Sequence, residues 1–305
     1  MTKTLPPIVF FGSGPVAAAS LEHLAKHFPI EAVVTKPRAE GHRGSVPVLE
    51  LAHKLDLPLH TPKNRRELDA LLTQTHFHSA CGIVVDYGII MSKMVIESFP
   101  KGIVNSHFSL LPQWRGADPI TFAILSGQPQ TGVSLMLIVE ALDEGDLLAQ
   151  EELSITPEMT TPELTKALVD LSNRMLVEFV PRYLDGEITP HPQPSQPPVS
   201  YSRRLSKEDG TLDWSKPAAV LEREVRAFTN WPQTKGKLIL PSGKEMEVLV
   251  TKAATAKAQL APGHVAQTSG RLLVGTSEDA FEILRLKVPG KKEITAGDFI
   301  RGYLR

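Results

Sequence analysis

Short apolar runs rich in valine and isoleucine alternate with stretches of helical period in the first part of the chain. This alternation is typical of β-α-β units and predicts an α/β domain built on a mainly parallel sheet. The predicted strands are residues 8–11, 32–35, 80–85, 102–105 and 133–139. The helices predicted between them are residues 16–27, 47–55 and 64–75.

One long amphipathic helix and a proline-rich segment end this domain. Apolar side chains recur in steps of three and four between residues 163 and 184, at Leu164, Leu168, Leu171, Met175, Phe179 and Tyr183. Five prolines then fall between Pro190 and Pro198, which predicts a stiff, extended linker. We therefore expect a first domain over residues 1–189, a linker over residues 190–203 and a second domain over residues 204–305.

The second domain has the pattern of a small β-barrel. Short strands are predicted at residues 237–240, 247–250, 263–266, 271–274 and 280–286. Turn signals separate them at residues 241–244 and 269–270. One helix is predicted before these strands, at residues 217–228, and another after Thr295.

Composition excludes several classes of protein. With 305 residues, 42% of them apolar and 22% charged, the chain is globular and not disordered. No apolar run approaches the roughly 18 residues of a membrane span, and the first residues lack the order of a secretory signal. We therefore expect a cytoplasmic protein with no membrane partner. The single cysteine, Cys81, excludes an intramolecular disulfide and a zinc site of several thiolates, and we interpret it as a packing residue.

Charge is unevenly distributed between the two predicted domains. Residues 1–198 carry 15 Lys and Arg against 22 Asp and Glu, whereas residues 199–305 carry 18 against 12, a net charge of +6. The net positive charge of residues 199–305 has two interpretations, ordinary surface charge and a surface that attracts a polyanion.

A glycine-rich turn, Gly12-Ser13-Gly14, follows the first predicted strand and precedes a helix. It is similar to a dinucleotide-binding turn. However, the second strand ends in Thr35 and Lys36, without the acidic residue that holds a ribose, so NAD is disfavoured. Two interpretations stay open, a tight turn that needs backbone freedom and a close approach to a substrate phosphate.

Three polar residues are candidates for chemistry. Asn105 and His107 are two residues apart at the end of a predicted strand and so share one face, where an open parallel sheet places its ligands. Asp143 follows the strand at residues 133–139. Each residue alone is explained by a structural hydrogen bond or a turn. A carboxylate beside His107 would fix the tautomer of the imidazole and raise its pKa.

The sequence around these residues resembles a known family. Residues 105–112 read NSHFSLLP, residues 114–117 read WRGA and residues 143–146 read DEGD, as in formyltransferases that use 10-formyltetrahydrofolate. The likeness continues beyond the linker at residues 205–210, 213–214, 226–228, 231–232, 289–292 and 296–299. It implies a Rossmann-like catalytic domain followed by a smaller barrel that resembles the oligonucleotide-binding fold. Among members with this architecture it implies formyl transfer to the α-amine of methionine on initiator Met-tRNA, for translation initiation.

The resemblance also implies the site residues. The catalytic residues would be Asn105, His107 and Asp143. The folate cosubstrate would contact Val85, Asp86, Tyr87, Gly88, Ser109, Leu110, Leu111 and Pro112. The tRNA would contact Arg38 and Arg43 in the loop at residues 35–44. The excess positive charge of residues 199–305, not the resemblance, adds Arg203 and Arg204 at the end of the linker, and Lys291 and Lys292, as candidate tRNA contacts. We expect no metal and a monomer.

The chain departs from the family pattern at a few positions. The loop at residues 35–44 is shorter than the usual form and carries Glu40, Asp86 stands where alanine is usual, and Phe108 stands where a small residue is usual. The last two lie near the expected pterin site and would alter folate affinity.

The expected reaction begins with attack of the free methionine amine on the formyl carbon, through a tetrahedral intermediate with one oxyanion. Asn105 and His107 would donate hydrogen bonds to that oxyanion, and Asp143 would hold His107 and assist proton transfer. His107 would serve as proton donor, relay or electrostatic stabiliser. Three alternatives stay open, namely a sugar-nucleotide N-formyltransferase, a formyltetrahydrofolate hydrolase, and an RNA-binding protein on an inactive scaffold.

Overall fold

The computed structural model describes residues 5–41 and 43–304. Within them the chain divides into two compact units. The first unit comprises residues up to Pro119, Gln130–Ser154 and Thr165–Ser202, and the second comprises Ile120–Pro129, Ile155–Leu164 and residues from Arg203 onward. The predicted first domain, residues 1–189, differs from this division because it includes residues 120–129 and 155–164, which the structure groups with the second unit.

The chain up to Ser202 contains the helices and strands of the first unit and of the two inserted segments. They are β1 (Ile8–Gly12), α1 (Gly14–Leu24), β2 (Ile30–Val34), α2 (Pro47–Lys54), β3 (Leu59–His60), α3 (Arg65–Gln74), β4 (Gly82–Val85), α4 (Lys93–Glu97), β5 (Ile103–His107), β6 (Arg115–Gly116), α5 (Pro119–Ser126), β7 (Gln130–Leu137), β8 (Leu147–Ser154), α6 (Thr161–Leu184) and β9 (Tyr201–Ser202).

Seven of these strands form one sheet in the order β3-β2-β1-β4-β5-β7-β8. The first five are parallel, and β7 and β8 add an antiparallel hairpin at one edge. The prediction of a Rossmann-like, mainly parallel sheet is therefore confirmed. Its central strands are buried on both faces, which explains why their sequences are continuous apolar runs.

Apolar packing on the sheet fixes the strands that end at the candidate site. Phe11 of β1 contacts the rings of Tyr87 and Phe99 edge to face, with centroids 5.7 and 5.9 Å apart. Cys81 is fully buried just before β4, as predicted, and burial raises the pKa of its thiol to about 12. The cysteine therefore acts as a small core residue at neutral pH.

The second unit is built on an antiparallel sheet. Its elements are α7 (Ala218–Ala227), β10 (Thr234–Ile239), β11 (Glu245–Ala256), β12 (Val265–Thr268), β13 (Arg271–Gly275), β14 (Ala280–Lys287), β15 (Glu293–Thr295) and α8 (Ala296–Tyr303). The strand order is β10-β11-β14-β13-β12, and β15 pairs with β14. The Ile239 amide donates to the Gly263 carbonyl at 2.8 Å, beside a parallel bridge from Ile239 to His264. This contact links the start of β12 back to β10 and closes the predicted barrel.

The segments inserted into the second unit are held by α7 and its end. Arg223 donates to the Leu125 carbonyl at 3.2 Å, and Arg226 donates to the Met159 carbonyl at 2.9 Å. Thr161 donates to the Ala227 carbonyl at 2.7 Å. Hydrogen bonds between side chains and main-chain carbonyls thus attach residues 120–129 and 155–164 to α7 and the residue at its end. Such bonds produce no apolar periodicity, so the sequence gives no sign of them.

Among the described residues, no helix is both long enough and apolar enough to cross a bilayer. The longest, α6, carries charged side chains along its length.

Candidate active site

The candidate site lies where parallel strands β1, β4 and β5 end at one edge of the sheet. Asn105 of β5 is in register with Val84 of β4, and Gly12 of β1 is in register with Val85. Asn105 and His107 share one face of β5. The structure therefore brings the ends of the two predicted segments, residues 84–88 and 105–112, to the same edge.

His107 is almost fully buried, with 6% of its surface exposed. Its Nε2 lies 3.0 Å from the Trp114 carbonyl oxygen. Since a carbonyl only accepts, Nε2 carries the hydrogen and donates it. In the neutral ring Nδ1 therefore has a free lone pair, and this nitrogen faces Asp143, with 3.8 Å between Nδ1 and Oδ2.

Burial lowers the pKa of His107, and the nearby Asp143 carboxylate opposes this only in part. The carboxylate acts in the expected direction, since Asp143 raises the pKa of His107, but desolvation of the buried imidazolium is the larger effect and makes the net shift downward. The neutral ring dominates at pH 7. The tautomer is fixed by the Trp114 carbonyl, not by the carboxylate.

Asp143 lies in the loop between β7 and β8 with a positive φ of 53°. Its Oδ2 accepts a hydrogen bond from the Gly116 amide at 2.7 Å, and 12% of its side chain is exposed. At Gly145 an added Cβ would lie 1.7 Å from the Leu137 carbonyl oxygen, so the loop needs glycine there. The loop is therefore built tightly enough to hold the carboxylate in one place.

Asn105 is half-buried, and its side-chain amide makes no hydrogen bond within residues 5–41 and 43–304. An amide without a protein partner at the end of a strand has both donor hydrogens available to a bound molecule.

The folate residues implied by the resemblance divide into two groups. Asp86, Gly88 and Leu110 expose surface, whereas the others are buried, namely Val85, Tyr87, Ser109, Leu111 and Pro112. The Tyr87 ring packs in the core under β1, so contact with a ligand there would be through the main chain.

Asp86 has a positive φ of 46°, and its carbonyl accepts from the Ser13 amide at 2.9 Å. Partial desolvation raises the pKa of its carboxyl, and the positive charge of Lys36 opposes this rise.

The turn at Gly12 is a place of close packing, since a Cβ at Gly12 would lie 2.7 Å from the Cβ of Ala17. Phe108, the other departure from the family pattern, is buried.

The predicted tRNA contacts differ in how much of their charge is offset. Arg38 is paired with Glu50 at 3.0 Å, and Arg203 is paired with Asp209 at 2.5 Å. Lys291 donates to the Tyr303 hydroxyl at 2.9 Å and pairs with no carboxylate of a described residue. The other three cations, Arg43, Arg204 and Lys292, are exposed and make no side-chain ion pair with any described residue. His42, in the same loop as Arg43, lies outside the described residues.

A surface that the sequence analysis did not predict lies on the second unit. Trp231 is 57% exposed beside Lys207 and Lys235, in a groove of about 400 Å³. The signal was present in the sequence, because Trp231 in its Trp-Pro pair lies outside any apolar periodicity that would place the indole in the core.

The linker residue Gln193 was also missed. Its side chain contacts Arg115, Asp143 and Gly145 beside the catalytic candidates. A glutamine among prolines has no local pattern that would have identified it.

Comparison with known proteins covers both units. The family model "Formyl transferase" matches residues 8–180, and "Formyl transferase, C-terminal domain" matches residues 204–304. A relative from Myxococcus xanthus, named methionyl-tRNA formyltransferase, is 37% identical over 303 residues, which cover 98% of this chain and 95% of the relative. One of the same name from Roseiflexus castenholzii is 34% identical over 302 residues, covering 97% and 95%.

Solved structures show the same fold at low identity. The N-formyltransferase from Helicobacter canadensis, in complex with folinic acid and dTDP-3-aminofucose, superposes with a TM-score of 0.68 at 17% identity, covering 92% of this chain and 98% of that one. HypX from Aquifex aeolicus, in complex with tetrahydrofolic acid, gives 0.62 at 16% identity, covering 98% and 48%.

Proposed function

Since the chain belongs to the formyl transferase family, we propose that it transfers the formyl group of 10-formyltetrahydrofolate to the α-amine of methionine on initiator Met-tRNA. The product is formylmethionyl-tRNA for translation initiation. The observation that carries this proposal is the similarity to relatives named methionyl-tRNA formyltransferase, which extends through both units at 33 to 37% identity. The His107 and Asp143 pair at the sheet edge supplies groups suited to the chemistry.

The reaction forms a bond between the methionine nitrogen and the formyl carbon and breaks the bond between that carbon and N10 of the folate. The attacking amine loses a proton, and the departing N10 gains one. A proton acceptor near the reacting nitrogen therefore serves both steps.

His107 is suited to this role through Nδ1. Because Nε2–H is engaged by the Trp114 carbonyl, Nδ1 is the nitrogen with a free lone pair. The lowered pKa keeps it unprotonated at neutral pH. When it accepts the proton from the amine, the Asp143 carboxylate at 3.8 Å stabilises the imidazolium, which then returns the proton to N10.

Asn105 is suited to stabilise the oxyanion. Its amide has no hydrogen-bond partner among the described residues, whereas the Nε2–H of His107 is already committed to Trp114. We therefore assign the oxyanion donor to Asn105 and the proton transfer to His107. Removing one such donor typically costs about 2.7 to 4 kcal/mol.

Exposed apolar side chains near the same strand ends favour a pterin contact. Ile90 follows β4, and Val139 and Leu142 lie in the loop that carries Asp143. Their exposed fractions are 75%, 43% and 63%. Exposed apolar side chains on loops, at the edge of the sheet where the candidate site lies, are explained by a flat aromatic ligand that covers them.

The second unit is suited to bind the tRNA. Its charge of +6 over residues 199–305 attracts a polyanion. The exposed Trp231 lines a groove together with Lys207 and Lys235. This combination binds RNA well, because an unpaired base stacks on the ring and the lysines contact phosphates.

The test is formyl transfer from 10-formyltetrahydrofolate by the purified chain, with charged initiator Met-tRNA, charged elongator Met-tRNA, a dTDP-amino sugar and water as competing acceptors. We expect transfer to initiator Met-tRNA at a rate far above the others. Transfer to the amino sugar alone, or release of formate alone, would overturn the proposal in favour of the corresponding alternative.

A further inference from the structure

The linker contributes directly to the candidate active site. The main chain of His191 exchanges two hydrogen bonds with that of Leu147, at 2.8 and 3.0 Å. Ser200 accepts from the Trp114 amide through its hydroxyl at 2.9 Å and from the Arg115 amide through its carbonyl at 2.9 Å. The linker therefore runs along the end of the Asp143 loop and along Trp114 and Arg115, which follow the strand that carries Asn105 and His107.

Gln193 is the side chain at the centre of these contacts. Its Nε2 donates to the Asp143 carbonyl at 2.7 Å and to the Gly145 carbonyl at 3.0 Å. Its Oε1 accepts from the Arg115 guanidinium, from Nη2 at 2.7 Å and from Nε at 3.3 Å. The donor and acceptor capacity of the amide is fully used.

The chemistry of the partners fixes how this amide is oriented. A guanidinium only donates, so it must face Oε1, and two carbonyls only accept, so they must face Nε2. Arg115 is itself 9% exposed and pairs with Glu144 through Nη1 at 2.9 Å. Arg115 and Gln193 therefore hold three consecutive residues of the catalytic loop, Asp143 to Gly145.

We propose that Gln193, supported by Arg115, is a positioning residue that holds the Asp143 loop so that its carboxylate faces Nδ1 of His107. It touches neither substrate nor reacting atoms. Its effect on the chemistry, which rests on the proposed function, is exerted through Asp143.

The local geometry explains why such a support is needed. Asp143 has φ of 53°, in the left-handed region, which is less favourable for a residue with a Cβ than for glycine, although aspartate tolerates it better than most. Without the Gln193 amide the Asp143 and Gly145 carbonyls lose their shared donor. The loop then relaxes, the carboxylate leaves the Gly116 amide, and His107 loses its counter-ion.

The first experiment compares Gln193→Ala and Gln193→Glu with Gln196→Ala in the full-length enzyme. Gln196 is a glutamine of the same linker that is exposed and makes no side-chain hydrogen bond with any described residue. We expect both Gln193 variants to lower kcat on the order of 10- to 100-fold, because small displacements of catalytic groups cost that much. KM for both substrates should change by less than about twofold, since neither is bound by this side chain. Gln196→Ala should match the wild type.

The second experiment separates positioning from general destabilisation. In an Asp143→Asn background, measured by single turnover, Gln193→Ala should have almost no further effect on the rate, because its influence passes through the carboxylate that has been removed. A loss of the same factor in both backgrounds would overturn the proposal.

The third experiment does not depend on the proposed function. In Gln193→Ala, hydrogen exchange should accelerate in residues 114–117 and 143–146 while the remaining strands stay protected. Unchanged exchange there would overturn the inference even in an active enzyme. If the wild type formylated no tRNA but exchange responded as expected, the proposed function would fail and the structural role of Gln193 would stand.

Discussion

The two units of the molecule present their functional groups in opposite ways. In the first unit, His107 and Asp143 are nearly buried, and main-chain groups of Trp114 and Gly116 hold them. In the second unit the candidate groups are exposed cations outside the helices and strands, and Arg204 and Lys292 have no carboxylate partner among the described residues. Catalysis depends on position, whereas attraction of a polyanion depends on the number of charges.

This contrast predicts effects of different kind and size. A change in the first unit should alter kcat strongly and depend on its neighbours. A change in the second unit should alter KM for the tRNA modestly, additively and in a salt-dependent way.

The largest effect is expected at the three catalytic candidates. Asn105→Ala, His107→Ala and Asp143→Ala should each lower kcat by about 100-fold or more, because each removes an oxyanion donor, the proton acceptor or its counter-ion. Steady-state kinetics on variants with a wild-type melting profile is the measurement. A folded His107→Ala variant with wild-type turnover would end the assignment. Double variants should lose much less than the product of the single losses.

The next effect concerns pH. Since His107 acts as a base and burial lowers its pKa, kcat should stay level at neutral pH and fall only as the pH drops below the ordinary histidine value of 6.5. Asp143→Asn should move this acid limb to still lower pH, because the carboxylate is what opposes the lowering. A pH–rate profile of both proteins tests this, and an acid limb above the ordinary value would contradict it.

The sequence predicted the elements whose pattern is local. Buried parallel strands such as residues 82–85 are apolar at every position, and α6 repeats its apolar face over many turns, so both were found. Helix α5 was missed because its sequence, PITFAILS, is apolar almost throughout and shows no helical period. Asn105, His107 and Asp143 were predicted as catalytic residues from their places at strand ends and from the resemblance, and their roles stay a prediction. The structure brings His107 and Asp143, which are distant along the chain, to 3.8 Å of each other.

What the sequence could not predict depends on long-range contacts. The Gln193 amide meets Asp143 across a separation of 50 residues. Arg203 was predicted as a tRNA contact from its charge, but the structure pairs it with Asp209. The linker was predicted to be a stiff spacer, yet its residues pair with β6 and β8. Each outcome depends on which partner the fold brings near.

A smaller effect is expected at the groove of the second unit. Trp231→Ala should raise KM for Met-tRNA by about 5- to 150-fold, since stacking of a base on an aromatic ring is worth about 1 to 3 kcal/mol. KM for the folate and kcat at saturating tRNA should not change. Trp231→Phe, which keeps an aromatic face, should recover part of the loss. An unchanged KM for Met-tRNA in Trp231→Ala would exclude this groove from the interface.

The smallest effects, at single cations, give the sharpest test of the second unit. Log K for Met-tRNA should fall linearly with log salt, and each phosphate contact contributes about one unit to the slope. Arg203 and Arg204 are adjacent, both exposed, and differ in that Asp209 offsets the charge of Arg203. Arg204→Gln should therefore lower the slope by about one unit, and Arg203→Gln by distinctly less.

Lys291 and Lys292 extend the same comparison. Since the partner of Lys291 is a hydroxyl and not a carboxylate, the double Gln variant should lower the slope by about two units if both lysines contact phosphate. KM for the folate should remain insensitive to salt in every variant, because apolar contacts and a few hydrogen bonds hold that ligand. A KM for Met-tRNA that does not depend on salt would mean that the net charge of +6 is solvated surface. Binding of the nucleic acid would then have to come from the first unit alone.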